Sequence, residues 1–123
     1  MFIRDLKDCP EFEGGDASRL RELFNPIKDM KDDLQLSYSL AFARVPAGKA
    51  TLPHRLSHSE VYYILSGEAE MTIGEETRKV GPHQAVYIPP HAVQHLVNRG
   101  EIPLEFLCLV DPAWCPECEE VLS

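Results

Sequence analysis

The chain has 123 residues, of which 12 are basic and 20 are acidic, so its formal net charge is −8 at pH 7. This length suits one domain whose core buries about two-thirds of the unfolded surface. Nucleic acids and anionic membranes bind surfaces rich in Lys and Arg, so this acidic chain is expected to bind neither. No apolar run is long enough to cross a bilayer. Acidic residues follow Met1 closely, which argues against a secretory signal and predicts a cytoplasmic location.

The first segment, residues 1–33, has the least regular pattern. The run Leu20–Phe24 fits either a short helix capped by Asp16 or a strand at a sheet edge. Because Asn25-Pro26 ends this run so soon, we favour the strand. Residues 1–33 are therefore expected to supply one or more strands and a connection that pack on the main body of the domain.

Residues 34–112 have the pattern of short strands separated by turns. Leu34–Phe42 alternates apolar and small polar side chains, which is typical of a half-buried strand. Later strands are predicted at 61–65, 69–73, 77–80, 84–88, 93–97 and 104–110. Turn residues recur about every 8–12 positions with no helical period between them, which predicts an all-β sandwich or barrel. Residues 113–123 then form a C-terminal tail.

Four cysteines are present, and three of them lie in the tail or just before it. Cys108 occupies an apolar run and is expected to pack as a small hydrophobic residue. Cys115 and Cys118 have the spacing of a zinc or redox pair, but the chain has no second pair. They are either ordinary thiols, or part of a structural metal site or labile disulfide to which Cys9 or a second chain contributes. Trp114 is expected to attach the tail to the barrel or to a partner subunit.

Residue types that bind metals are concentrated just before the strand predicted at 61–65. His54, His58 and Glu60 are close in sequence, and His91 and His95 follow further along the chain. Imidazole nitrogens and carboxylate oxygens are common ligands of divalent transition metals. The two groups flank different strands, so both can contribute ligands to one site. A metal centre is therefore a candidate for the functional site.

Residues 48–98 resemble the two motifs of the cupin superfamily, G-x5-H-x-H-x3-E-x6-G and G-x5-P-x-G-x2-H-x3-N. Six residues fall in register with these motifs: Gly48, His54, Glu60, Gly67, Pro89 and Asn98. The resemblance implies a double-stranded β-helix, often dimeric, with a pocket in the mouth of the barrel. It also implies that His54 and Glu60 are metal ligands.

Four motif positions hold a different residue in this chain. Leu56 and Gln94 stand where the family has its second and third metal histidines. His83 and His91 replace two motif glycines, occupy turns and are expected to face solvent. Only two of the four ligands that the resemblance implies are therefore present unchanged.

Strand geometry limits how a metal site could form from the remaining residues. A straight strand would separate His54 from Glu60 by about 20 Å, since each residue rises about 3.3 Å. Both can bind one ion only if 55–59 forms a turn, on which His58 can approach the site, and Gln94 can add a neutral side-chain oxygen. The predicted metal set is His54, His58, Glu60 and Gln94, which suits iron, manganese, nickel, cobalt or zinc. Without a metal, Glu60 is a candidate catalytic residue, acting as a general base.

Strand alternation defines the pocket that is expected around this site. Tyr62 shares the inward face with Glu60, and Arg55 is expected at the rim. Either side chain can orient a small-molecule ligand, although tyrosines at such positions also simply fill a barrel. His95 faces away from Gln94 by the same alternation and is expected to be structural.

Two classes of function remain open. The first is a metal-dependent enzyme, either a dioxygenase or a sugar or sugar-phosphate isomerase, as the cupin resemblance suggests. The second is a non-catalytic barrel that binds or senses a small molecule and has a degenerate metal site, which Leu56 and Gln94 favour. The resemblance implies a homodimer for both.

Overall fold

The computed structural model describes residues 1–122, which form eleven strands and three short 3-10 turns. No helix in these residues has the length and apolar character needed to cross a membrane. In chain order the strands are β1 (Phe12–Glu13), β2 (Arg19–Phe24), β3 (Ser39–Val45), β4 (His54–Leu56), β5 (Ser59–Ser66), β6 (Ala69–Ile73), β7 (Glu76–Val80), β8 (Ala85–Ile88), β9 (Gln94–Val97), β10 (Leu104–Asp111) and β11 (Glu119–Val121).

The strands form two antiparallel sheets that enclose one main core. The larger sheet has the order β1-β2-β3-β10-β5-β8, and the smaller has the order β11-β4-β9-β6-β7. Ile64, Leu104 and Phe106 of the larger sheet are at most 2% exposed, and Leu96 of the smaller sheet is 1% exposed. These side chains belong to one buried apolar cluster. The architecture confirms the predicted all-β, double-stranded β-helix fold.

Most strands of the barrel lie where the sequence predicts them. Residues 69–73 match β6 exactly, and the strands predicted after it differ from the structure by one residue at an end. The exception is the strand predicted at Leu34–Phe42, because β3 begins at Ser39 and runs on to Val45. A 3-10 turn at Met30–Asp32 and a left-handed Asp33 (φ 50°) precede it, so the chain is still turning where the alternation begins.

The N-terminal segment adds two strands to the edge of the larger sheet. The strand predicted at 20–24 is confirmed as β2, which pairs with β3. Asp16 does not cap a helix; its carboxylate accepts hydrogen bonds from the backbone N–H and the hydroxyl of Ser18. Segments on both sides of residues 34–112 also hydrogen-bond into the sheets. The division of the chain at 34 and 112 stays a prediction.

The turn predicted at 55–59 is narrower in the structure. The chain remains in β4 as far as Leu56, and only Ser57 and His58 form the bend before β5. On one side β4 pairs with β11, and on the other it pairs with β9 at His54 and Gln94. The sequence did not predict β11, because three residues with two glutamates give no strand pattern.

Several motif residues have structural roles. At Gly67, where φ is +84°, an added Cβ would stand 2.5 Å from the carbonyl oxygen of Pro103. Asn98 is 1% exposed and makes three hydrogen bonds to backbone groups. His83 and His91 are exposed and have φ values of 71° and 70°, as expected for residues that replace turn glycines.

Candidate functional site

A cavity of about 70 Å³ lies against the inner face of the larger sheet. Its walls come from the inward-facing side chains of β2, β3, β5 and β10, and from the loop that precedes β2. The tail closes one side of the cavity with Trp114 and Glu119. The polar groups in its wall include Asp16, His54, Glu60 and Tyr62, so three of the predicted site residues face the same space.

His54 is held between a backbone carbonyl and a carboxylate. It is 2% exposed, and its Nδ1 lies 2.7 Å from the carbonyl oxygen of Leu52. Since a carbonyl oxygen can only accept, Nδ1 carries a proton. The other nitrogen, Nε2, lies 3.4 Å from Oδ2 of Asp16. The carboxylate of Asp16 therefore faces the ring at the cavity wall.

Glu60, Gln94 and Tyr62 form a buried chain of hydrogen bonds. The side-chain amide of Gln94 donates to Oε1 of Glu60 at 2.6 Å. The hydroxyl of Tyr62 donates to Oε1 of Gln94 at 2.8 Å. All three residues are at most 5% exposed. Tyr62 thus lies on the inward face as predicted, and Gln94 uses both of its polar atoms inside this network.

Cys108 packs against the apolar clusters as predicted and also completes the network. Its Sγ donates to Oε2 of Glu60 at 2.8 Å, so it acts as a polar partner as well as packing against apolar residues. Burial raises the pKa of the Cys108 thiol well above its ordinary value, which keeps it a proton donor. Burial likewise raises the pKa of Glu60 from 4.5 to about 6, although the hydrogen bonds from Cys108 and Gln94 oppose this shift.

Acidic groups outnumber basic groups around the cavity. Asp16, Glu60 and Glu119 all face it, and burial raises the pKa of Glu119 above its ordinary value. The lysine in the wall, Lys28, makes an ion pair with Glu22 at 2.8 Å. The site is therefore an acidic, partly desolvated pocket with one histidine in its wall.

The residues at the cupin ligand positions do not fit a metal ion. Leu56 has no donor atom and packs in a second apolar cluster. Both polar atoms of Gln94 are occupied, and Nε2 of His54 faces a carboxylate. Within residues 1–122, the one group of three His, Cys, Asp or Glu side chains close enough to hold a metal excludes His54 and Glu60.

Two predicted site residues lie elsewhere in the structure. His58 was expected to turn toward His54, but its Nδ1 is 2.8 Å from the carbonyl oxygen of Pro112, on the side of the tail. Arg55 is exposed and pairs with Glu120 of β11 at the surface, and it does not line the cavity. Alternation along β4 explains this, because His54 points inward and its neighbour must point outward.

Sequence reasoning missed three carboxylates of the pocket. Asp16 was considered only as a helix cap, Glu22 only as part of the run at 20–24, and Glu119 only as part of the tail. The Gly14-Gly15 pair before Asp16 was the available signal for a tight loop near the barrel. Nothing in the sequence indicated Glu119, whose position depends on the pairing of β11 with β4 and on a hydrogen bond from Trp114. The expected attachment of the tail to the barrel through Trp114 is confirmed, because this residue packs against the cluster of Leu56 and Val110 and its backbone N–H donates to Oγ of Ser39 at 2.9 Å.

The fold and the site define a small single-barrel protein with a partly open, acidic pocket. The family model of the cupin domain matches residues 41–110 of this chain. The chain belongs to the cupin family, as the two motifs implied. It is 38% identical over 111 residues to the uncharacterized protein MJ1618 of Methanocaldococcus jannaschii, a match that covers 88% of this chain and 84% of that protein.

Other similarities concern only a small part of a larger protein, or the fold alone. Mannose-1-phosphate guanylyltransferase 2 of Escherichia coli O157:H7 is 40% identical over 90 residues, which cover 71% of this chain and 18% of that enzyme. The polyketide cyclase RemF of Streptomyces resistomycificus superposes with a TM-score of 0.80 at 20% identity, covering all of this chain and 86% of its own. The nucleoside dehydratase Pac13 from Streptomyces gives 0.76 at 16% identity, covering 99% and 91%.

Proposed function

We propose that this protein binds a small, uncharged or cationic molecule with hydroxyl groups in the barrel cavity, and that His54 and Glu60 transfer protons to and from it. The observation that carries the proposal is the convergence of Asp16, His54 and Glu60 on one cavity. Burial raises the pKa of Glu60 to about 6, and a carboxyl group with a perturbed pKa in a cleft is typical of sites that carry out proton transfer.

The charges of the pocket support this class of ligand. Four carboxyl groups line the cavity, and the one lysine in its wall already pairs with one of them, Glu22. A phosphate group would have to enter without a free cation to balance it, which is costly in a desolvated site. A sugar phosphate is therefore a poor fit, whereas hydroxyl groups can donate to these carboxylates.

His54 is suited to give a proton to the ligand. Leu52 and Asp16 orient the ring, the first at Nδ1 and the second at Nε2. Asp16 lies 3.4 Å from Nε2, so a ligand hydroxyl reaches this nitrogen by displacing or bridging that contact, and Nε2 is then the atom that exchanges a proton with it. Glu60 is suited to take a proton from the ligand, because its raised pKa of about 6 makes it a stronger base than an ordinary carboxylate.

A metal ion is not part of this proposed chemistry. Leu56 and Gln94 remove two ligands from the family set, so the expectation of a dioxygenase or a metal-dependent isomerase has little support from these side chains. Cyclisation and dehydration, the reactions in the names of RemF and Pac13, both involve proton transfer, and the same barrel serves both proteins. At these identities that similarity illustrates what the fold can accommodate.

One observation favours a second candidate, a non-catalytic binding barrel. Both oxygens of Glu60 already accept hydrogen bonds within the protein, from Gln94 and Cys108. In this second candidate the network shapes the pocket and takes no part in a reaction. The protein then binds its ligand without changing it.

The test separates binding from turnover. The protein is incubated in D₂O with neutral hydroxyaldehydes, hydroxyketones and nucleosides, and with the phosphate esters of the same compounds. NMR then follows ligand binding, exchange of hydrogen for deuterium and loss of water. We expect neutral compounds to bind and at least one to react, while the phosphate esters bind more weakly.

Variants assign the observed activity to the pocket. General acid–base groups contribute about 10²–10⁴-fold, so His54→Ala and Glu60→Gln should each lower turnover by at least about 100-fold. Arg55→Ala is the matched control, because Arg55 adjoins His54 in β4 but lies outside the cavity. Binding without reaction would support the second candidate, and preference for phosphate esters would contradict the proposed ligand class.

A further inference from the structure

A second group of ligand-type side chains lies outside the cavity, where the tail meets the bend before β5. One ring nitrogen of His58 and the Sγ atoms of Cys115 and Cys118 all lie within 4.8 Å of one another. Around a tetrahedral zinc the ligand atoms stand about 3.5–3.8 Å apart, given Zn–S of about 2.3 Å and Zn–N of about 2.0–2.1 Å. Small side-chain rotations are enough to bring the three atoms to these separations.

The ring of His58 is already oriented by a backbone group. Its Nδ1 lies 2.8 Å from the carbonyl oxygen of Pro112, and this oxygen can only accept a hydrogen bond. The proton is therefore on Nδ1, and the free lone pair is on Nε2. A histidine that binds a metal through one nitrogen commonly donates the other N–H to a carbonyl or carboxylate in this way.

The two cysteines are arranged by a tight turn. The 3-10 turn at Pro116–Cys118 links them, and Cys118 N–H donates to the carbonyl oxygen of Cys115 at 3.1 Å. The N–H of Cys115 donates to Sγ of Cys118 at 3.5 Å, so the backbone also positions this sulfur. Ser57, beside His58, donates its N–H to the carbonyl oxygen of Cys118 at 2.8 Å. The backbone thus holds all three side chains together.

The surroundings suit a metal site better than a redox pair. Cys118 is 5% exposed and packs with Leu56 and Val110 in the second apolar cluster. Redox pairs of thioredoxin type precede a helix whose N-terminus activates one thiol, whereas Cys118 is followed directly by β11. Leu56, which replaces a motif histidine, therefore forms part of the wall behind this group.

We propose that His58, Cys115 and Cys118 bind one Zn²⁺ ion, with a water molecule in the fourth position. Two thiolates and an imidazole select zinc over manganese, magnesium or calcium, which prefer oxygen ligands. The ion would join the bend after β4 to the turn before β11, and so fasten the tail to the barrel. Since Trp114 and Glu119 of the tail close the cavity, this site would also stabilise the wall of the pocket.

Zinc analysis of the full-length protein tests the proposal. The protein is reduced with a phosphine, stripped with a chelator, reloaded with Zn²⁺ and passed through a desalting column before metal analysis. We expect one zinc per chain, and Co²⁺ should give the thiolate-to-cobalt charge-transfer band of a tetrahedral sulfur site. Loss of an outer hydrogen-bond partner alone weakens metal binding by about 10–100-fold, so His58→Ala, Cys115→Ser and Cys118→Ser should each weaken zinc binding by more than about 100-fold.

Control variants keep the result interpretable. His54→Ala and Cys9→Ser remove a histidine and a cysteine outside the group, and both should retain one zinc per chain. Circular dichroism of His58→Ala, whose side chain is half-buried, shows whether zinc loss occurs in a folded protein. The proposal is wrong if the folded, reduced protein retains no zinc, if the three ligand variants retain it, or if His54→Ala loses it.

Discussion

The side-chain amide of Gln94 donates a 2.6 Å hydrogen bond to Oε1 of Glu60, so two positions of the cupin metal motif bind each other directly. In the family pattern both side chains would turn their lone pairs toward one ion. Here the amide nitrogen satisfies the carboxylate, and Tyr62 satisfies the amide oxygen. The substitution at position 94 therefore replaces a metal ligand with an internal hydrogen-bond partner.

Restoring the two missing histidines should restore metal binding in the barrel. The double variant Leu56→His and Gln94→His places imidazoles at both altered motif positions, next to His54 and Glu60. We expect it to bind one Mn²⁺ per chain, whereas the unaltered protein binds none at this site. Electron paramagnetic resonance of Mn²⁺ titrations measures free and bound ion, and thiolate sites interfere little with this metal.

The single variant Gln94→His is the control for this experiment. It removes the amide but leaves Leu56 without a donor, so binding should stay much weaker than in the double variant. Strong Mn²⁺ binding by the unaltered protein, lost in His54→Ala, would contradict the conclusion that the present residues do not fit a metal.

The stability of the protein should fall as Glu60 ionises. Burial raises the pKa of Glu60 to about 6 in the folded state, above the ordinary 4.5, so the folded state holds this proton more tightly than the unfolded state. The stability that the protonated Glu60 contributes is therefore fully present below pH 4.5 and is lost as the pH rises through about 6. The gap between these two values corresponds to about 2 kcal/mol.

Urea unfolding at pH 4.5 and pH 7.5 measures this effect. Glu60→Gln cannot ionise and can keep the hydrogen bond from Gln94. Between the two pH values its free energy of unfolding should therefore fall by about 2 kcal/mol less than that of the unaltered protein. Glu120→Gln, at an exposed carboxylate, should leave the decrease unchanged. Equal pH dependence in Glu60→Gln and the unaltered protein would exclude ionisation of this residue as the cause.

Two glycines with similar backbone angles should respond very differently to alanine. Gly67 has φ +84°, and an added Cβ would lie 2.5 Å from the carbonyl oxygen of Pro103. Gly74 has φ +61°, but an added Cβ meets nothing within 4 Å. Gly74→Ala should cost about 1 kcal/mol from backbone strain alone, and Gly67→Ala about 3 kcal/mol or more because a backbone atom must also move.

Thermal and urea unfolding of the two glycine variants provide the comparison. The measured quantity is the difference in the free energy of unfolding between Gly67→Ala and Gly74→Ala. Similar losses in both would show that the close approach of the chain at Pro103 does not determine the need for glycine.

Asn98 should be among the most sensitive polar residues of the barrel. Its amide nitrogen donates to the carbonyl oxygens of Val45 and Ile102, each at 3.0 Å, and its Oδ1 accepts from the N–H of Gly100. Asn98→Ala leaves these groups unpaired in or near the core, and each buried orphan costs about 1–3 kcal/mol. We expect a loss of about 3 kcal/mol in urea unfolding.

The neighbouring residue supplies the control for Asn98. Arg99 is exposed and pairs with Glu70 at the surface, so Arg99→Ala should change the free energy of unfolding by less than about 1 kcal/mol. If Asn98→Ala also lowered the free energy of unfolding by less than about 1 kcal/mol, water or a local shift of the chain would be replacing its three hydrogen bonds.

Local patterns were enough to predict most of the barrel. Alternation and turn residues locate β5 to β10, because most of these strands have one buried face and each is followed by a Gly, Pro or Asn signal. The same patterns failed at Leu34 and Leu36, where apolar residues alternate in a segment that has not yet joined the sheet. They also failed at β11, whose existence depends on pairing with a distant strand.

The candidate site was only partly accessible to such reasoning. Motif spacing identified His54 and Glu60, and alternation predicted that Tyr62 faces inward. Spacing alone could not show which way the bend turns His58, because this depends on the carbonyl oxygen of Pro112, far along the chain. The contact of Asp16 with His54 and that of Cys108 with Glu60 also join residues that are far apart in the sequence.

The sequence by itself determined the family, the all-β barrel and the loss of two metal ligands, because these follow from residue identity and from periods of a few residues. Only the tertiary structure decided what replaced those ligands. It joined Gln94 to Glu60, brought Asp16 to His54, and moved His58 to Cys115 and Cys118. Each of these contacts links residues from different strands or loops, and their geometry exists only when both sheets and the tail have assembled.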